Sequence, residues 1–443
     1  MGFKAGGDRV KLPTYPRTKP SGVEWLGDVP EHWTPIALRR TSTRYAGGTP
    51  DRSNDSFWED GTIPWINSGA VNQGLITDPS AYITEDAYRN SSARWVTKGA
   101  LVMALAGQGK TKGMVAQTGI ATTCNQSMSA ICPAPPMEAR YLYWLLVSQY
   151  EHIRNMAGGE ARDGLNLEIL GAIPCLKVPP AEQQAIAAYL DRETGRLDRL
   201  VGRKRELIER LKEKRTALIS DCVTGKAEVR MKKDEKGRSS YFCLPTSSLP
   251  KKPSGLDWLG DIPTHWEVVR LGRRIELQRG VDITKDEQSE GNVPVVSSGG
   301  ISSFHDKAFA KGPGVVVGRK GTAGAVHWVE CDYWPHDTTL YVREFGGNSP
   351  KYVFYKLCSM NLASFDTGSA NPTLNRNLVH PVLVSWPPLP EQAAIAAYLD
   401  LETAKLDALV EKVEAAVERL QEYRTALITA AVTGKIDVRN QPS

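Results

Sequence analysis

The stretch that decides the fold occurs twice in the chain. Its first copy is Lys19-Pro20-Ser21-Gly22-Val23-Glu24-Trp25-Leu26-Gly27-Asp28-Val29-Pro30-Glu31-His32-Trp33, and its second is Lys252-Pro253-Ser254-Gly255-Leu256-Asp257-Trp258-Leu259-Gly260-Asp261-Ile262-Pro263-Thr264-His265-Trp266. Further on, Glu182-Gln183-Gln184-Ala185-Ile186-Ala187-Ala188-Tyr189-Leu190-Asp191 returns as Glu391-Gln392-Ala393-Ala394-Ile395-Ala396-Ala397-Tyr398-Leu399-Asp400. The copies lie more than two hundred residues apart, which is too long for one unit of a solenoid. The repeat therefore predicts two tandem copies of one domain with a connector.

The two copies share almost nothing between their repeated stretches, over residues 36–178 and 268–386. Both divergent parts contain short apolar runs bounded by Gly and other turn residues, such as residues 100–105 and 314–317. Such runs are typical of strands, so each part is expected to be mostly β, with helices near residues 140–156 and 351–365. A shared frame with a divergent interior indicates one scaffold that carries two different recognition surfaces.

The repeated segment after each divergent part has an apolar residue at nearly every seventh position. The seam residues are Leu190, Leu197, Leu211 and Leu218 in the first copy, and Leu399, Leu406, Val413, Leu420 and Leu427 in the second. This spacing predicts one long helix in each copy, with a coiled-coil seam. Proline pairs at 179–180 and 387–388 precede the helices, and Gly225 and Gly434 follow them, where these residue types are favoured.

The two predicted helices carry opposite net charge. Residues 191–215 contain ten Lys or Arg and six Asp or Glu, whereas residues 400–424 contain four and seven. Opposite charge favours packing of the helices against each other, although exposed charges also simply solvate a helix surface. Because the copies are equivalent, an approximate two-fold axis should make the helices antiparallel, with one β-rich domain at each end. About 38 helical residues would form a rod of roughly 55 Å.

The composition is that of a soluble globular protein with several domains. The chain has 443 residues, of which 41% are hydrophobic and 24% charged. The N-terminus lacks the apolar run of a signal peptide, and no stretch is long enough to predict a membrane span. The seven Cys are scattered without a C-x-x-C pair, which favours reduced thiols over disulfides or a zinc ribbon. The net charge of +5 permits a nucleic-acid partner but does not require one.

Two recognition surfaces related by a two-fold axis suit duplex DNA, whose half-sites recur at a defined helical spacing. Over essentially its whole length, the chain resembles the DNA-specificity (S) subunits of type I restriction-modification systems. The resemblance is carried by the start of the second long helix at residues 387–400, its end at 424–439, Gly47-Gly48-Thr49-Pro50 with Ile63-Pro64-Trp65-Ile66, and Gly318-Arg319-Lys320-Gly321 with Trp334-Pro335-His336-Asp337-Thr338.

The resemblance, together with the repeat, implies an α+β fold. Two mostly-β target recognition domains with small helices are expected, joined by two long antiparallel coiled-coil helices in a pseudo-two-fold tandem repeat. The expected divisions are target recognition domain 1 with an N-terminal arm at residues 1–178, long helix 1 as a central spacer at 179–226, a linker at 227–251, target recognition domain 2 at 252–386, and long helix 2 with a C-terminal tail at 387–443.

The same resemblance implies a non-catalytic, sequence-specific DNA-binding subunit that reads a bipartite target. Such a subunit directs the methylation and restriction subunits of a type I restriction-modification complex. The expected partners are double-stranded DNA, two methylation subunits docked on the helices, and restriction subunits, and no membrane is expected as a partner. The expected location is the cytoplasm of a prokaryote. S-adenosylmethionine, ATP and Mg are expected on the partner subunits, and neither a cofactor nor a metal on this chain.

DNA contacts are expected in the divergent parts. Basic, Gly-rich loops let the backbone approach phosphate, Arg can fork to guanine, and amides suit adenine. The candidates are Arg44, Gly48, Thr49, Lys110, Thr111, Lys112, Asn125, Gln126 and Arg162 in the first part, and Arg279, Ser298, Arg319, Lys320, His336, Thr338 and Asn371 in the second. Each basic loop has an alternative interpretation as a solvated hairpin tip.

Residues 104–111 also fit a relaxed phosphate-loop pattern that follows an apolar strand. A phosphate loop opens a helix, whereas residues 112–119 indicate a turn and a second strand. In the other copy, Gly321 stands where the pattern needs Lys110. We therefore interpret this element as a Gly-rich loop between strands.

Two further classes of protein remain open. An enzyme acting on DNA by itself is disfavoured, because the sequence lacks the Asn/Asp-Pro-Pro-Tyr/Phe motif, a Gly-rich methyl-donor loop and helicase motifs. Nuclease signatures are too degenerate to exclude, and His336-Asp337-Thr338 could pass for part of a catalytic set, although no matching nucleophile accompanies it. A coiled-coil adaptor that binds only protein is the other class.

Several repeated residues are expected to be structural. Trp25, Trp33, Trp258 and Trp266 should pack so that each recognition domain is fixed to the helices. Leu165 and Asn166 return as Leu374 and Asn375 beside residues that differ, which favours a packing role for the retained ones.

Overall fold

A computed structural model describes residues 13–107, 109–156, 164–233, 239–244, 249–365 and 373–440. The chain divides into two compact units. Unit 1 comprises Met1–Arg203 and Ala416–Ser443, and unit 2 comprises Lys204–Ala415. Each unit therefore contains one divergent part and a portion of each long helix.

Unit 1 contains two main sheets. Its strands are β1 (Thr18–Pro20), β2 (Asp28–Pro30), β3 (Thr34–Ala37), β4 (Ser42–Ala46), β5 (Ile63–Ile66), β6 (Leu75–Ile76), β7 (Ala81–Ile83), β8 (Trp95–Val96), β9 (Leu101–Ala104), β10 (Val115–Thr118), β11 (Thr122–Cys124), β12 (Met128–Pro133) and β13 (Pro174–Lys177). The sheets have the orders β4-β12-β9-β10-β6 and β7-β5-β11-β8, and β1-β2 and β13-β3 form separate pairs. The central strand β9 is buried at every position, which explains its continuous apolar run.

Unit 2 repeats this arrangement, with one strand fewer in each of its two main sheets. They are β14 (Glu228–Lys233), β15 (Ser239–Leu244), β16 (Lys251–Pro253), β17 (Asp261–Pro263), β18 (Glu267–Arg270), β19 (Glu276–Arg279), β20 (Val293–Ser297), β21 (Gly300–His305), β22 (Gly314–Gly318), β23 (Val326–Val329), β24 (Trp334–Pro335), β25 (Thr339–Glu344) and β26 (Leu383–Trp386). The order β19-β25-β22-β23 matches β4-β12-β9-β10 of unit 1. The parallel pair β20-β24 likewise matches β5-β11. The remaining orders are β21-β20-β24, β14-β15, β16-β17 and β18-β26.

The helices confirm the predicted combination of small and long elements. They are α1 (Glu85–Arg89), α2 (Ala139–Ser148), α3 (Tyr150–Asn155), α4 (Leu167–Ala172), α5 (Pro180–Thr224), α6 (Pro350–Cys358), α7 (Arg376–Val379) and α8 (Leu389–Val432). The long helices α5 and α8 have 45 and 44 residues and are thus longer than the 38 expected. Both end before a glycine with positive φ, Gly225 at 79° and Gly434 at 71°, as the sequence predicts.

Within each unit the long helices run antiparallel. In unit 1 the Arg424 guanidinium in the second half of α8 lies 2.9 Å from the Asp198 carboxylate in the first half of α5. In unit 2, Arg215 in the second half of α5 lies 3.0 Å from Asp407 in the first half of α8. These partly exposed pairs are worth at most about 1 kcal/mol each, so the apolar seam supplies most of the packing energy.

The seam residues are enclosed as predicted. All nine are buried or half-buried, and Leu190 and Leu399 have no exposed surface. Exposed leucines instead lie beside the seam, at Leu200 and Leu207 on α5 and at Leu401 and Leu409 on α8. Among the described residues, no helix is both long enough and apolar enough to cross a membrane.

The structure differs from the sequence-based expectations at several points. The helix expected near residues 140–156 is broken at Gln149, whose side chain accepts a bond from Trp25 Nε1 and donates to the Pro174 carbonyl. The helix expected near residues 351–365 ends at Cys358, and a short 3-10 turn, Leu362–Phe365, follows. The segment interpreted as a linker contains the antiparallel hairpin β14–β15.

The expected packing role holds for some repeated tryptophans but not for others. Trp33 and Trp266 are buried, and their indole nitrogens donate to Glu182 and Glu391 at the starts of the long helices. Trp25 instead stacks on His152 of α3. Trp258 is 58% exposed, so it does not fix unit 2 to its helices.

The other residues expected to be structural lie as predicted. Leu165 and Leu374 are buried in the cores of their units. Asn166 and Asn375 are the N-cap residues of α4 and α7, where their side chains accept bonds from backbone N–H groups.

Candidate nucleic-acid interface

In unit 1, two loops meet at one end of the sheets. The loop after β4 begins with Gly47, and the other loop follows β11. A Cβ at Gly47 would lie 2.0 Å from the Cys124 carbonyl oxygen, so only glycine permits this approach. The Gly48 N–H donates to the same carbonyl at 2.8 Å, and the Thr49 hydroxyl donates to the Gln126 side chain. The structure thus brings together Gly48, Thr49, Asn125 and Gln126.

Unit 2 contains the same loop pair with different side chains. Gly280 takes the place of Gly47, and a Cβ there would lie 2.1 Å from the His336 carbonyl oxygen. The Val281 N–H donates to the Pro335 carbonyl at 2.8 Å, as the Gly48 N–H does to Cys124 in unit 1. In this common framework, Asp282, His336 and Asp337 of unit 2 occupy the positions of Thr49, Asn125 and Gln126.

The Gly-rich elements are hairpin loops in both units. In unit 1 the loop joins the antiparallel strands β9 and β10, and in unit 2 it joins β22 and β23. A phosphate loop would lead into a helix, so the interpretation as a loop between strands is confirmed. Lys110 and Lys320 are exposed on these loops, where they can meet an anionic partner.

The hairpin loop of unit 2 contacts the loop pair directly. The backbone N–H groups of Arg319 and Lys320 donate to the Thr338 carbonyl at 2.8 and 3.1 Å. The Ser298 N–H lies 3.4 Å from the Thr338 hydroxyl, which is 3.0 Å from His336 Nδ1. With Arg279, which pairs with Asp337, six predicted candidates of unit 2 lie together.

The equivalent hairpin loop of unit 1 is tied to its neighbours by other hydrogen bonds. The Leu105 N–H donates to the Ser127 carbonyl at 2.8 Å, which ties the end of β9 to the loop after β11. The Lys110 carbonyl accepts a bond from the Tyr150 hydroxyl of α3. The Thr111 carbonyl accepts the Met114 N–H and closes the turn.

Four candidates are placed elsewhere or cannot be assigned. The Arg44 guanidinium donates to the Leu38 and Ser42 carbonyls, which lie outside the paired loops, and burial lowers the pKa of Arg44. Lys112 is only 6% exposed. Arg162 and Asn371 lie outside the described residues.

The electrostatics of the unit 2 loops favour an electron-rich ligand. Burial and then the positive charge of Arg279 lower the pKa of Arg319, whereas the Asp337 carboxylate opposes this shift. Among the described residues, the buried Nη1 of Arg319 and the buried Oδ1 of Asn125 have no hydrogen-bond partner, and Arg44 Nε outside the paired loops has none either. A ligand bound at the paired loops would satisfy the first two atoms.

Asp282, His336 and Asp337 offer ligand atoms within 4.8 Å of one another, which is close enough for a cation. Asp337 already pairs with Arg279 at 2.8 Å, so a guanidinium supplies the positive charge there. From the sequence, Asp337 is considered only as part of a possible catalytic set with His336 and Thr338, and Asp282 is not singled out. Their signal was the equivalence with Thr49 and Gln126, which becomes visible only when the two loop pairs are superimposed in register.

The fold and the paired loops define a protein with two related recognition units. Residues 32–210 and 263–419 match the family described as type I restriction modification DNA specificity domain. These matches cover more than half of the chain, so the protein belongs to this family, with one matched domain in each repeat.

Individual relatives agree with this assignment. The type I restriction enzyme EcoR124I/EcoR124II specificity subunit of Escherichia coli is 28% identical over 155 residues, which are 33% of this chain and 37% of that protein. The match thus spans little more than a third of that relative's length.

Two solved structures are similar in fold. A chain from a structure concerning complex assembly and conformational transition of the type I R-M system has 14% identity and a TM-score of 0.71, with coverage of 92% of this chain and 99% of that chain. The HsdS subunit from Thermoanaerobacter tengcongensis has 16% identity and a TM-score of 0.51, with coverage of 92% and 98%. The predicted fold class is thereby confirmed.

Proposed function

We propose that this protein is the non-catalytic DNA-specificity subunit of a type I restriction-modification complex. Each unit reads one half of a bipartite duplex target, and the chain directs methylation and restriction subunits to it. The observation that carries the proposal is the loop pair that both units share with the same backbone bonds but different side chains. One framework with two side-chain sets suits two different half-site sequences.

The proposed DNA contacts divide by chemistry. Lys110 and Lys320 are exposed on hairpin loops, and such lysines bind phosphates without reading sequence. Asn125 and Gln126 in unit 1, and Arg279 and Arg319 in unit 2, present amide or guanidinium groups that can reach base edges. We include Thr49, Thr111, Ser298, His336 and Thr338 of the same loops as further contacts, and the Gly48 backbone closes the loop pair of unit 1.

For the domains, we propose residues 1–178 and 252–386 as the two target recognition domains. The long helices at 179–226 and 387–443, with the segment 227–251 between the copies, form the shared frame. This division rests on the repeat and on the antiparallel contacts that the long helices make within each unit.

The exposed leucines beside the seam support two methylation subunits as partners. Leu200 on α5 and Leu409 on α8 are equivalent positions of the repeat, and their exposed fractions are 36% and 43%. Because one such leucine belongs to each unit, we propose that each contributes to one docking surface for a methylation subunit. S-adenosylmethionine, ATP and Mg would then belong to the partner subunits.

The docking proposal predicts different results for single and double substitutions. Leu200→Asp or Leu409→Asp should leave one methylation subunit bound, and the double variant should leave none, because a carboxylate at an apolar contact must be desolvated. The stoichiometry can be measured by light scattering of the co-purified complex. Thr216→Asp is the control, because Thr216 is exposed on the opposite side of α5 and its exchange adds the same charge. Equal loss of methylation subunit from Thr216→Asp would argue against the leucines.

Exchange of the second divergent part tests the proposed function itself. Residues 268–386 would be replaced by the corresponding residues of another family member, and the chimaera would be co-expressed with the methylation subunit that serves the unaltered chain. Sequencing of the methylated positions should show one half-site changed and the other retained, because unit 1 keeps its own loop pair. A change in both half-sites, or a methylation pattern without a bipartite target, would refute the proposal.

A separate experiment tests whether the chain is an enzyme that acts on DNA by itself. The purified chain would be incubated with duplex DNA, S-adenosylmethionine and Mg²⁺ in the absence of partners. We expect neither methylation nor cleavage. Either activity would assign catalysis to this chain and overturn its role as a recognition subunit.

A further inference from the structure

Unit 2 contains an arginine that is held at the interface by a carboxylate. Arg279 is the last residue of β19, and Asp337 follows β24. Arg279 Nη2 donates to Asp337 Oδ2 at 2.8 Å. The arginine side chain is 54% exposed, whereas that of Asp337 is 20% exposed, so the carboxylate lies below and the guanidinium projects outward.

The carboxylate belongs to a well-ordered turn. The Thr338 N–H donates to His336 Nδ1 at 3.3 Å, and the Thr338 hydroxyl lies 3.0 Å from the same nitrogen, so the residues on either side of Asp337 are tied together. Because Asp337 is held in this turn, its bond to Arg279 restricts the orientation of the guanidinium, which lowers the entropy cost of a further contact by its free edge.

Unit 1 shows that the loop pair does not need this ion pair. The equivalent positions there are Ala46 and Gln126, which cannot form one. Unit 1 nevertheless retains the backbone bond from Gly48 to Cys124, the counterpart of that from Val281 to Pro335. The ion pair is therefore an addition to the framework and points to a ligand specific to unit 2.

The geometry favours a base over a phosphate. Guanine presents O6 and N7 side by side in the major groove, and a guanidinium fork matches both acceptors. Arg279 has one edge committed to Asp337, which leaves other N–H groups for such a pair. The nearby Arg319 adds positive potential, and Lys320 is already exposed on the hairpin loop for phosphate.

We propose that Arg279 reads a guanine in the half-site of unit 2, and that Asp337 is the residue that positions it. This inference rests on the proposed DNA-specificity function and adds the base and the reading residue. Unit 1, with Ala46 and Gln126 in these places, reads its half-site by other groups.

The test uses the chain co-expressed with its methylation subunit in cells, followed by sequencing of all methylated positions. Arg279→Ala should relax one guanine position of one half-site, with the preference for that base falling on the order of tenfold. The other half-site should stay unchanged. Arg279→Lys should retain part of the preference, because lysine keeps the charge but loses the fork.

A double substitution separates positioning from general damage. Asp337→Asn should partly relax the same base position as Arg279→Ala, and should add nothing in a chain that already carries Arg279→Ala. Arg343→Ala is a matched control, because Arg343 is 47% exposed and also pairs with a carboxylate, that of Glu276, at the opposite end of β19. It should leave the target unchanged.

Four outcomes would overturn the inference. A uniform loss of methylation without relaxation of any base would assign Arg279 to a phosphate, and an unchanged pattern would give it no role. Relaxation in both half-sites would show general damage. If Asp282→Asn relaxed the same base position and a chelator abolished target binding, the cluster of Asp282, His336 and Asp337 would be a cation site. If the unaltered complex methylates no bipartite target, the proposed function fails instead.

Discussion

At the scale of single residues, Lys356 differs in chemistry from its counterpart in the other repeat. The side chain is 1% exposed, and Nζ donates to the Val223 carbonyl at 2.9 Å and lies 3.2 Å from the Ser385 hydroxyl. Unit 1 has Leu145 at the equivalent position. Burial lowers the pKa of Lys356 from 10.5 to about 7, because the ammonium group loses its hydration.

Replacement of this lysine should stabilise the protein in a pH-dependent way. Between pH 7 and 10.5 the unfolded state binds more protons than the folded state, so the wild-type protein gains stability as pH rises through this window. Lys356→Met lacks this linkage. We expect the variant to be more stable by roughly 2–4 kcal/mol at pH 6 and the difference to shrink toward pH 10.

Denaturant unfolding of both proteins at pH 6, 8 and 10 measures the effect. Leu145→Met is the control and should shift stability by a similar, small amount at every pH. A Lys356→Met variant that is less stable at pH 6, or whose advantage does not change with pH, would contradict the lowered pKa.

The sequence predicts only part of the geometry of the candidate interface, for a physical reason. The Gly-rich loop could be recognised, but not which of its lysines faces outward: Lys110 is exposed and Lys112 is buried. That choice depends on how the hairpin packs, which local spacing does not encode. Similarly, Arg279 and Asp337 are far apart in sequence and meet only because β19 and β24 end at the same place.

At the scale of elements, each copy of the repeated Trp-containing stretch, residues 19–33 or 252–266, contacts the start of one long helix and the glycine after the other. In unit 1, Glu182 at the start of α5 accepts bonds from Trp33 and His32, while Gly434 after α8 packs on Pro30. Unit 2 repeats this arrangement. Glu391 at the start of α8 contacts Trp266 and His265, and Gly225 after α5 packs on Pro263. Because the glycine after each helix contacts the stretch of the other repeat, both repeats are needed to complete either unit.

Substitution of these terminal glycines should be costly. A Cβ at Gly225 would lie 2.5 Å from Pro263 Cδ, and one at Gly434 would lie 2.4 Å from Pro30 Cδ. Positive φ adds strain, so Gly225→Ala or Gly434→Ala should each destabilise its own unit by about 2 kcal/mol or more.

The control for this experiment is Gly202→Ala in the interior of α5. A Cβ there would meet no other heavy atom of the described residues within 4 Å, and alanine favours helix, so this change should stabilise by about 0.5–1 kcal/mol. Limited proteolysis and thermal unfolding would locate the weakened unit. Equal tolerance of alanine at all three positions would show that the helix ends are not docked as described.

Periodicity made the long helices predictable, whereas tertiary contacts decided their smaller neighbours. The seven-residue seam and the glycines after α5 and α8 are local signals, and both were confirmed. The break between α2 and α3 has no such signal. It occurs because the Gln149 side chain is drawn to Trp25 and the Pro174 carbonyl, contacts that bridge distant parts of unit 1.

At the scale of the whole molecule, the tandem repeat predicts two copies of one domain even before any single helix or strand is assigned. Unit 1 contains both ends of the described chain, since the Asp437 N–H donates to the Pro13 carbonyl at 2.7 Å. The division between the units falls within both long helices, after Arg203 in α5 and after Ala415 in α8. These two positions are where helix length can be changed without loss of contacts inside either unit.

Under the proposed function, the long helices set the distance between the half-sites. Insertion of four helix-favouring residues after both Arg203 and Ala415 would lengthen each helix by about 6 Å. This is close to two base-pair steps of about 3.4 Å. We therefore expect the non-specific gap of the target to grow by one or two base pairs, while both half-site sequences stay the same.

Insertion into α5 alone is the matched control. It would shift the seam of one helix past the other, so pairs such as Arg215–Asp407 could not form together with Arg424–Asp198, and activity should fall sharply. The paired insertion also rotates the downstream part of each helix by about 40°, so a partial loss of methylation is compatible with the proposal. Mapping of the methylated positions decides the question, because an active paired variant with the original gap would show that the helices do not measure the spacing.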